Sequence, residues 1–135
     1  MILVDTSVLF DLVLSDPQWE AWSTRALALA AAQDTIAINA TIYAELSSHY
    51  DTIEYLDAVL DTLELNMVDV PKAALFLAGH AFRRYRRSGG SKTNVLADFF
   101  IGAHAAVTGS VLLTRDARHI STYFPTVSLM SPKTE

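Results

Sequence analysis

The chain has 135 residues, no cysteine, 51% hydrophobic residues and a formal net charge of −5. That length suits one domain over residues 1–135 with apolar area for a single core, and the lack of cysteine excludes disulfides, thiol chemistry and the usual ligands of structural zinc. The negative balance argues against binding nucleic acid through overall electrostatics, although Arg83, Arg84, Arg86, Arg87 and Lys92, five of the ten Lys and Arg residues, share one short window.

Ile2-Leu3-Val4-Asp5-Thr6-Ser7 reads as a buried central strand ending in a carboxylate and two hydroxyls. Ligand sites in open parallel α/β sheets lie beyond the carboxyl ends of the strands, so Asp5 sits where chemistry can happen. Asp5 also interrupts the first apolar run too early for a signal peptide, which predicts a mature chain starting at Met1. Mean hydropathy is +0.26, yet no run approaches the roughly 18 apolar residues of a membrane span. A soluble, cytoplasmic protein without membrane contact is expected.

Val8, Leu9, Leu12 and Val13 suit a short helix, and Asp16-Pro17 restarts one, with Asp as N-cap and Pro in the first turn. Trp19 and Trp22 on it are expected in the core or at a partner interface. Thr35–Asn39 reads as a strand and the run through Leu46 as a helix carrying Glu45 early. Glu45 is four residues after Thr41, which does not fit a capping box; solvent exposure is its bland alternative. Asp51–Leu65 predicts a helix with Ile53, Leu56, Leu60 and Leu63 on one stripe and its acids on a solvated face.

Met67–Val70 is a strand candidate, and Pro71 opens a helix to about Arg87 whose basic last turn complements the helix dipole. Ser88-Gly89-Gly90-Ser91 is a flexible loop in which the glycines would let that edge move. A helix is expected from Asn94 or Val95 to Val107, with Asp98 near its start in an apolar setting and a stripe of small residues, Gly102, Ala105, Ala106 and Gly109, suited to close packing. Ser110–Asp116 repeats the opening pattern of strand, hydroxyl and carboxylate. Thr126–Leu129 gives a last short strand. Alternation of strands and helices predicts a parallel sheet covered on both faces.

Asp5 and Asp116 should lie along one sheet edge, with the helices carrying Glu45 and Asp98 starting close by. Crowded carboxylates raise one another's pKa, a cost that a divalent cation removes. Oxygen-only ligation favours Mg²⁺ or Mn²⁺, which act on phosphate esters by polarising a phosphoryl oxygen and activating water. Ser7 and Thr114 would orient carboxylates or waters from behind the ligands. Taken singly, each acid could instead cap a helix. Asp98 is the most telling, because an acid between Ala97 and Phe99-Phe100-Ile101 needs a partner or an open cleft. His49, His80, His104 and His119 have no metal-ligand spacing and are expected to be structural or surface residues, and no serine lies in a G-x-S-x-G elbow.

Leu3–Ser7, Glu45, Leu96-Ala97-Asp98-Phe99-Phe100-Ile101-Gly102-Ala103-His104-Ala105 and Leu113-Thr114-Arg115-Asp116 together resemble the PIN-domain ribonucleases. Within them the chain most resembles VapC-type toxins of bacterial and archaeal toxin–antitoxin pairs, a pattern that the tail from Arg118 through Pro125 and Leu129 to Pro132 also follows. The resemblance implies a PIN-like three-layer α/β/α fold with a short parallel central sheet. It also implies a Mg²⁺- or Mn²⁺-dependent endonuclease that cuts RNA, tRNA or another structured RNA, to a 5′-phosphate and a 3′-hydroxyl. The partners implied are a cognate antitoxin that blocks the site and a second copy in a homodimer. Carried over residue by residue, Asp5, Glu45, Asp98 and Asp116 match the acidic, metal-holding positions, and Ser7 and Thr114 the supporting hydroxyls. Arg83, Arg84, Arg86, Arg87 and Lys92 would lead the RNA backbone to the acids, or else form a solvated helix end. The competing function class is a PIN-fold binding module acting through antitoxin or DNA complexes without nuclease turnover.

Overall fold

The computed structural model describes residues 1–92 and 95–132. The opening run forms β1 (Ile2–Val4), and Asp5 ends it by capping α1 (Thr6–Val13). There follow α2 (Glu20–Gln33), β2 (Ile36–Ile38), α3 (Ala40–Ser47), α4 (Ile53–Thr62), β3 (Leu65–Met67), α5 (Lys72–Arg87), α6 (Leu96–Thr108), β4 (Val111–Leu113), α7 (Arg118–Tyr123) and β5 (Leu129–Met130). All pairings are parallel, in the order β3-β2-β1-β4-β5. β1 lies at the centre, Leu3 opposite Ala37 on one side and Leu112 on the other. β1 and β2 are buried throughout, as expected of short apolar strands covered on both faces; each fully buried aliphatic side chain contributes about 1.5–3 kcal/mol.

The chain steps outward from β1 through β2 to β3, then returns across the sheet to β4 and β5. Right-handed crossovers therefore place α1 to α4 over one face and α5 to α7 over the other, giving three α/β/α layers. The direction of winding reverses between β1 and β4. That switch point leaves a crevice at the carboxyl ends of these two strands, where residues 5–7 and 114–116 emerge.

Several boundaries depart from the sequence reading. Asp16 accepts from the backbone N–H groups of Gln18 and Trp19 at 2.9 Å, but this fixes a turn, and α2 begins at Glu20. Trp19 and Trp22 are both half-buried; Trp22 packs against the core cluster, as expected, whereas Trp19 does not join it. In α4, Leu56 and Leu60 face the core whereas Ile53, the first helical residue after the Thr52 cap, is 68% exposed. β3 comprises Leu65–Met67 in place of Met67–Val70, and β5 Leu129–Met130 in place of Thr126–Leu129. Of the small-residue stripe, Gly102 packs closely, since a Cβ there would stand 2.5 Å from the Phe124 ring and 2.8 Å from Ile120, whereas Gly109 ends α6 as its left-handed C-cap, where a Cβ would meet nothing within 4 Å. Asn94, one of the two expected starts of α6, lies outside the described residues.

Candidate metal and nuclease site

Asp5 is held from three directions. Its Oδ1 accepts the Thr6 N–H at 2.8 Å, and its Oδ2 accepts the hydroxyls of Ser7 at 2.9 Å and Thr114 at 2.7 Å. The Asp5 N–H donates to the Leu113 carbonyl at 2.8 Å, fastening the ends of β1 and β4 together. Asp5 is thus a helix cap and a crevice residue at once. Burial raises its pKa, an effect partly offset by the bonds from Thr114, Ser7 and Thr6.

The other acids approach this anchor from separate elements. Glu45 accepts the Thr6 hydroxyl at 2.7 Å, and burial followed by the nearby Asp5 charge raises its pKa. It lies in the second half of α3, a correction to its expected place early in the helix. Asp98, in the first turn of α6, has its pKa raised to about 7, first by burial and then by the charges of Asp5, Glu45 and Asp116. Asp116 is exposed and lies three residues beyond β4. Arg118 Nε donates to its Oδ1 at 3.0 Å and the guanidinium NH2 to its Oδ2 at 2.8 Å, holding the Asp116 carboxyl below its usual range. Asp5, Asp98, Asp116 and His119 line a narrow cleft with Ile101 and Ile120, whose room of about 10 Å³ is close to that of one water.

A model of the PIN domain matches residues 2–125. The chain belongs to the PIN domain family. None of the curated proteins compared with it matches significantly. Among solved structures, this PIN domain is similar to a chain of VapBC2 from Rickettsia felis bound to a DNA fragment from their promoter, at 23% identity and TM-score 0.73, covering 98% of this chain and 100% of that one. It is also similar to a chain of DNA-bound VapBC from Salmonella typhimurium, at 18% identity and TM-score 0.69, covering 96% of each. A chain of FitAcB from Neisseria gonorrhoeae matches at 20% identity and TM-score 0.61, again over 96% of each. At these identities the likeness is one of fold.

Among the described residues of this PIN domain, no three His, Asp or Glu side chains form a group placed to hold a metal ion. The carboxylates are near enough to perturb one another but are not gathered into a ligating cluster, and Asp116 is turned to Arg118. Their chemistry nonetheless suits a hard dication: the donors are all oxygen, and ionising them together without a cation is opposed by burial and like charge.

The sequence reading passed over four participants. Thr6 bridges α1 to Glu45, Arg118 grips Asp116, Arg115 pairs with the buried Asp11, and His119 lines the cleft where a structural or surface role was expected. Asp11 had a local signal, an acid between Phe10 and Leu12 on an apolar helix. His104 does take a structural place: the Asn39 amide, whose Oδ1 accepts from Ile42 N, donates to His104 Nδ1 at 3.1 Å.

The basic window ends α5 beside the cleft. Tyr85 meets the His119 ring edge-on at 5.7 Å between centroids, and the Arg84 guanidinium lies 5.4 Å from the Tyr123 ring centre. The glycine loop folds back on the same residue: Tyr85 Oη accepts the Lys92 N–H at 3.2 Å, and a Cβ on Gly90 would come within 2.4 Å of the Tyr85 ring. Gly90 thus serves close packing, where the sequence suggested freedom of movement.

Proposed function

We propose that this PIN domain is a Mg²⁺- or Mn²⁺-dependent RNA endonuclease, the toxin of a type II toxin–antitoxin pair, cutting tRNA or another structured RNA to a 5′-phosphate and a 3′-hydroxyl. The observation that carries the reading is that Asp5, Asp98 and Asp116 line one cleft at the switch point, with Glu45 near enough to exchange charge effects with Asp5 and Asp98. Likeness in fold to a chain of a toxin–antitoxin complex from Klebsiella pneumoniae, at 21% identity and TM-score 0.65, supports the biological role.

In this reading Asp5, Asp98 and Asp116 hold the cation, with Glu45 completing the set. When bound, the cation supplies polarisation of the scissile phosphodiester and a water of lowered pKa. Ser7 and Thr114 keep the Asp5 carboxylate fixed through the bonds they donate. Asp98, with its pKa raised to about 7, is partly protonated at neutral pH in the metal-free chain, and holding a cation would require it to be ionised, so uptake would release protons. Arg118, which holds both Asp116 oxygens, would have to let at least one go for Asp116 to act as a ligand. Arg83, Arg84, Arg86, Arg87 and Lys92 attract the RNA backbone that the acids repel.

The partners proposed are a cognate antitoxin and a second copy of the chain, acting in the cytoplasm; among the described residues no helix is long and apolar enough to cross a membrane. An open groove of about 1000 Å³, lined by residues including Leu12, Leu14, Tyr50, Tyr55 and Leu63, offers an apolar seat for an antitoxin segment away from the acids. Leu75 and Phe76 of α5, 45% and 69% exposed, are the apolar surface proposed for self-association.

The test is cleavage of a tRNA pool with Mg²⁺ or Mn²⁺ by the parent chain, Asp5→Asn and Asp98→Asn. The parent is expected to cut and both variants to lose at least about 10²-fold in rate. Asp5→Asn should stay folded, because an Asn oxygen can keep the Thr6 cap, whereas Asp5→Ala should also lose about 0.5–2 kcal/mol of stability. Equal cleavage by all three would refute the site. A parent that neither binds Mn²⁺ in calorimetry nor cuts RNA, yet captures the product of a neighbouring small gene tightly, would establish the binding-module reading instead.

A further inference from the structure

One ion pair in the molecule is built with more care than the fold alone needs. Asp11 is 1% exposed, within the apolar face of α1. Its Oδ2 accepts the Ser23 hydroxyl at 2.6 Å and Arg115 Nε at 2.8 Å, and its Oδ1 accepts the Arg115 NH2 group at 3.0 Å. The guanidinium also lies 5.3 Å from the Trp19 ring centre. A planar fork closed on both carboxylate oxygens, with one more donor and an aromatic neighbour, fixes direction as well as distance.

Arg115 stands between Thr114 and Asp116 in the segment joining β4 to α7. Its N–H donates to Ser7 Oγ at 3.2 Å, and Ser7 in turn donates to Asp5. Thr114 donates to the same Asp5 oxygen and accepts the Asp116 N–H at 3.2 Å. The Arg115 side chain therefore ties to α1 and α2 the segment whose neighbouring residues reach into the crevice. Ser7 and Asp11, one helical turn apart on α1, hold its backbone and its side chain respectively.

The geometry points to Arg115 and Asp11 as positioning residues: their ion pair, with Asp11 buried and Arg115 half-buried and braced by Ser23 and Trp19, sets where Thr114 and Asp116 stand relative to Asp5. The consequence for metal and cleavage rests on the nuclease reading; the bracing of the segment does not. Residues that orient metal ligands from behind change metal affinity or activity by about 10–100-fold when removed.

Removing Arg115 alone strands the buried Asp11 charge and risks misfolding, so the decisive variant is Asp11→Leu with Arg115→Met, which removes both charges together. In the full-length, metal-free chain, amide hydrogen exchange at positions 114–116 should accelerate by at least about tenfold while exchange in β1 and β2 stays slow. The Mn²⁺ dissociation constant measured by calorimetry should rise about 10–100-fold, and Arg115→Lys, which keeps the charge but loses the fork, should fall between this variant and the parent. A folded double variant with parental protection at 114–116 overturns the proposal, as does parental Mn²⁺ affinity in a chain whose parent binds Mn²⁺. If the parent takes up no Mn²⁺ and cuts no RNA with Mg²⁺ or Mn²⁺, the nuclease reading fails and the exchange data alone decide: acceleration upholds the brace and retained protection overturns it.

Discussion

Asp98 concentrates the electrostatic tension of the crevice in one carboxyl. Its pKa of about 7 arises from burial and from three neighbouring acids, whereas an unfolded Asp titrates near 3.9. Between about pH 4 and pH 7 the folded chain holds a proton that the unfolded chain has lost, so the stability of the metal-free protein falls as pH rises through that window. Asp5 and Glu45, also raised, act in the same direction. Asp116, lowered by Arg118, acts oppositely: its contribution is present above the unfolded pKa and disappears on acidification. Asp98→Asn should therefore flatten the slope and stabilise the metal-free chain at pH 7.5 by roughly 1–3 kcal/mol, allowing for solvent screening. Urea titrations at a series of pH values measure this, and an unchanged slope would show that Asp98 is not its source. This acid was conspicuous in the sequence because its immediate neighbours are apolar. Arg115 was not, because its partner Asp11 lies 104 residues away and no local pattern announces such a pairing.

Element order and the parallel sheet were legible because β1, β2 and β4 are short apolar runs separated by helices, whereas β3, Leu65-Asn66-Met67, is apolar at its ends alone and buried at Leu65 alone. Boundaries were legible only where a residue type enforces them. Asn39 and Thr52 cap α3 and α4 through bonds to Ile42 N and Tyr55 N, whereas the end of α4 carries no such mark. The chain leaves it at Glu64, in the left-handed region with φ 60°, where glycine is the usual occupant. With Glu there, the pattern read on as helix to Leu65, which is why β3 was placed two residues late. The same residue yields a prediction. Glu64→Gly removes the left-handed penalty and should raise stability by about 1 kcal/mol, less whatever the unfolded chain gains in freedom. Denaturant unfolding at neutral pH checks it, and a loss of stability would mean that the Glu64 side chain contributes more than its backbone costs.

Over the whole molecule, the acids and the cations are sorted to different places. A net charge of −5 should repel RNA, and Asp5, Asp98 and Asp116 line the cleft besides. Yet four exposed arginines close α5, whose Tyr85 touches the cleft residue His119, so the positive end of one helix borders the negative site. Such a pairing of charges suits a substrate whose flanking phosphates are held while one phosphate enters among the acids. Counterion release then makes the arginines visible through salt: each phosphate contact on a single strand contributes about 0.7 to the slope of log affinity against log salt. Replacing Arg83, Arg84 and Arg87 with Gln should raise KM for RNA and reduce that slope by about 2 if all three make contacts, with kcat little changed because none of them lies among the carboxylates. Cleavage kinetics at several salt concentrations decide the matter. A fall in kcat at unchanged KM would place these arginines in the chemistry, and an unchanged slope would leave them as the solvated end of a helix.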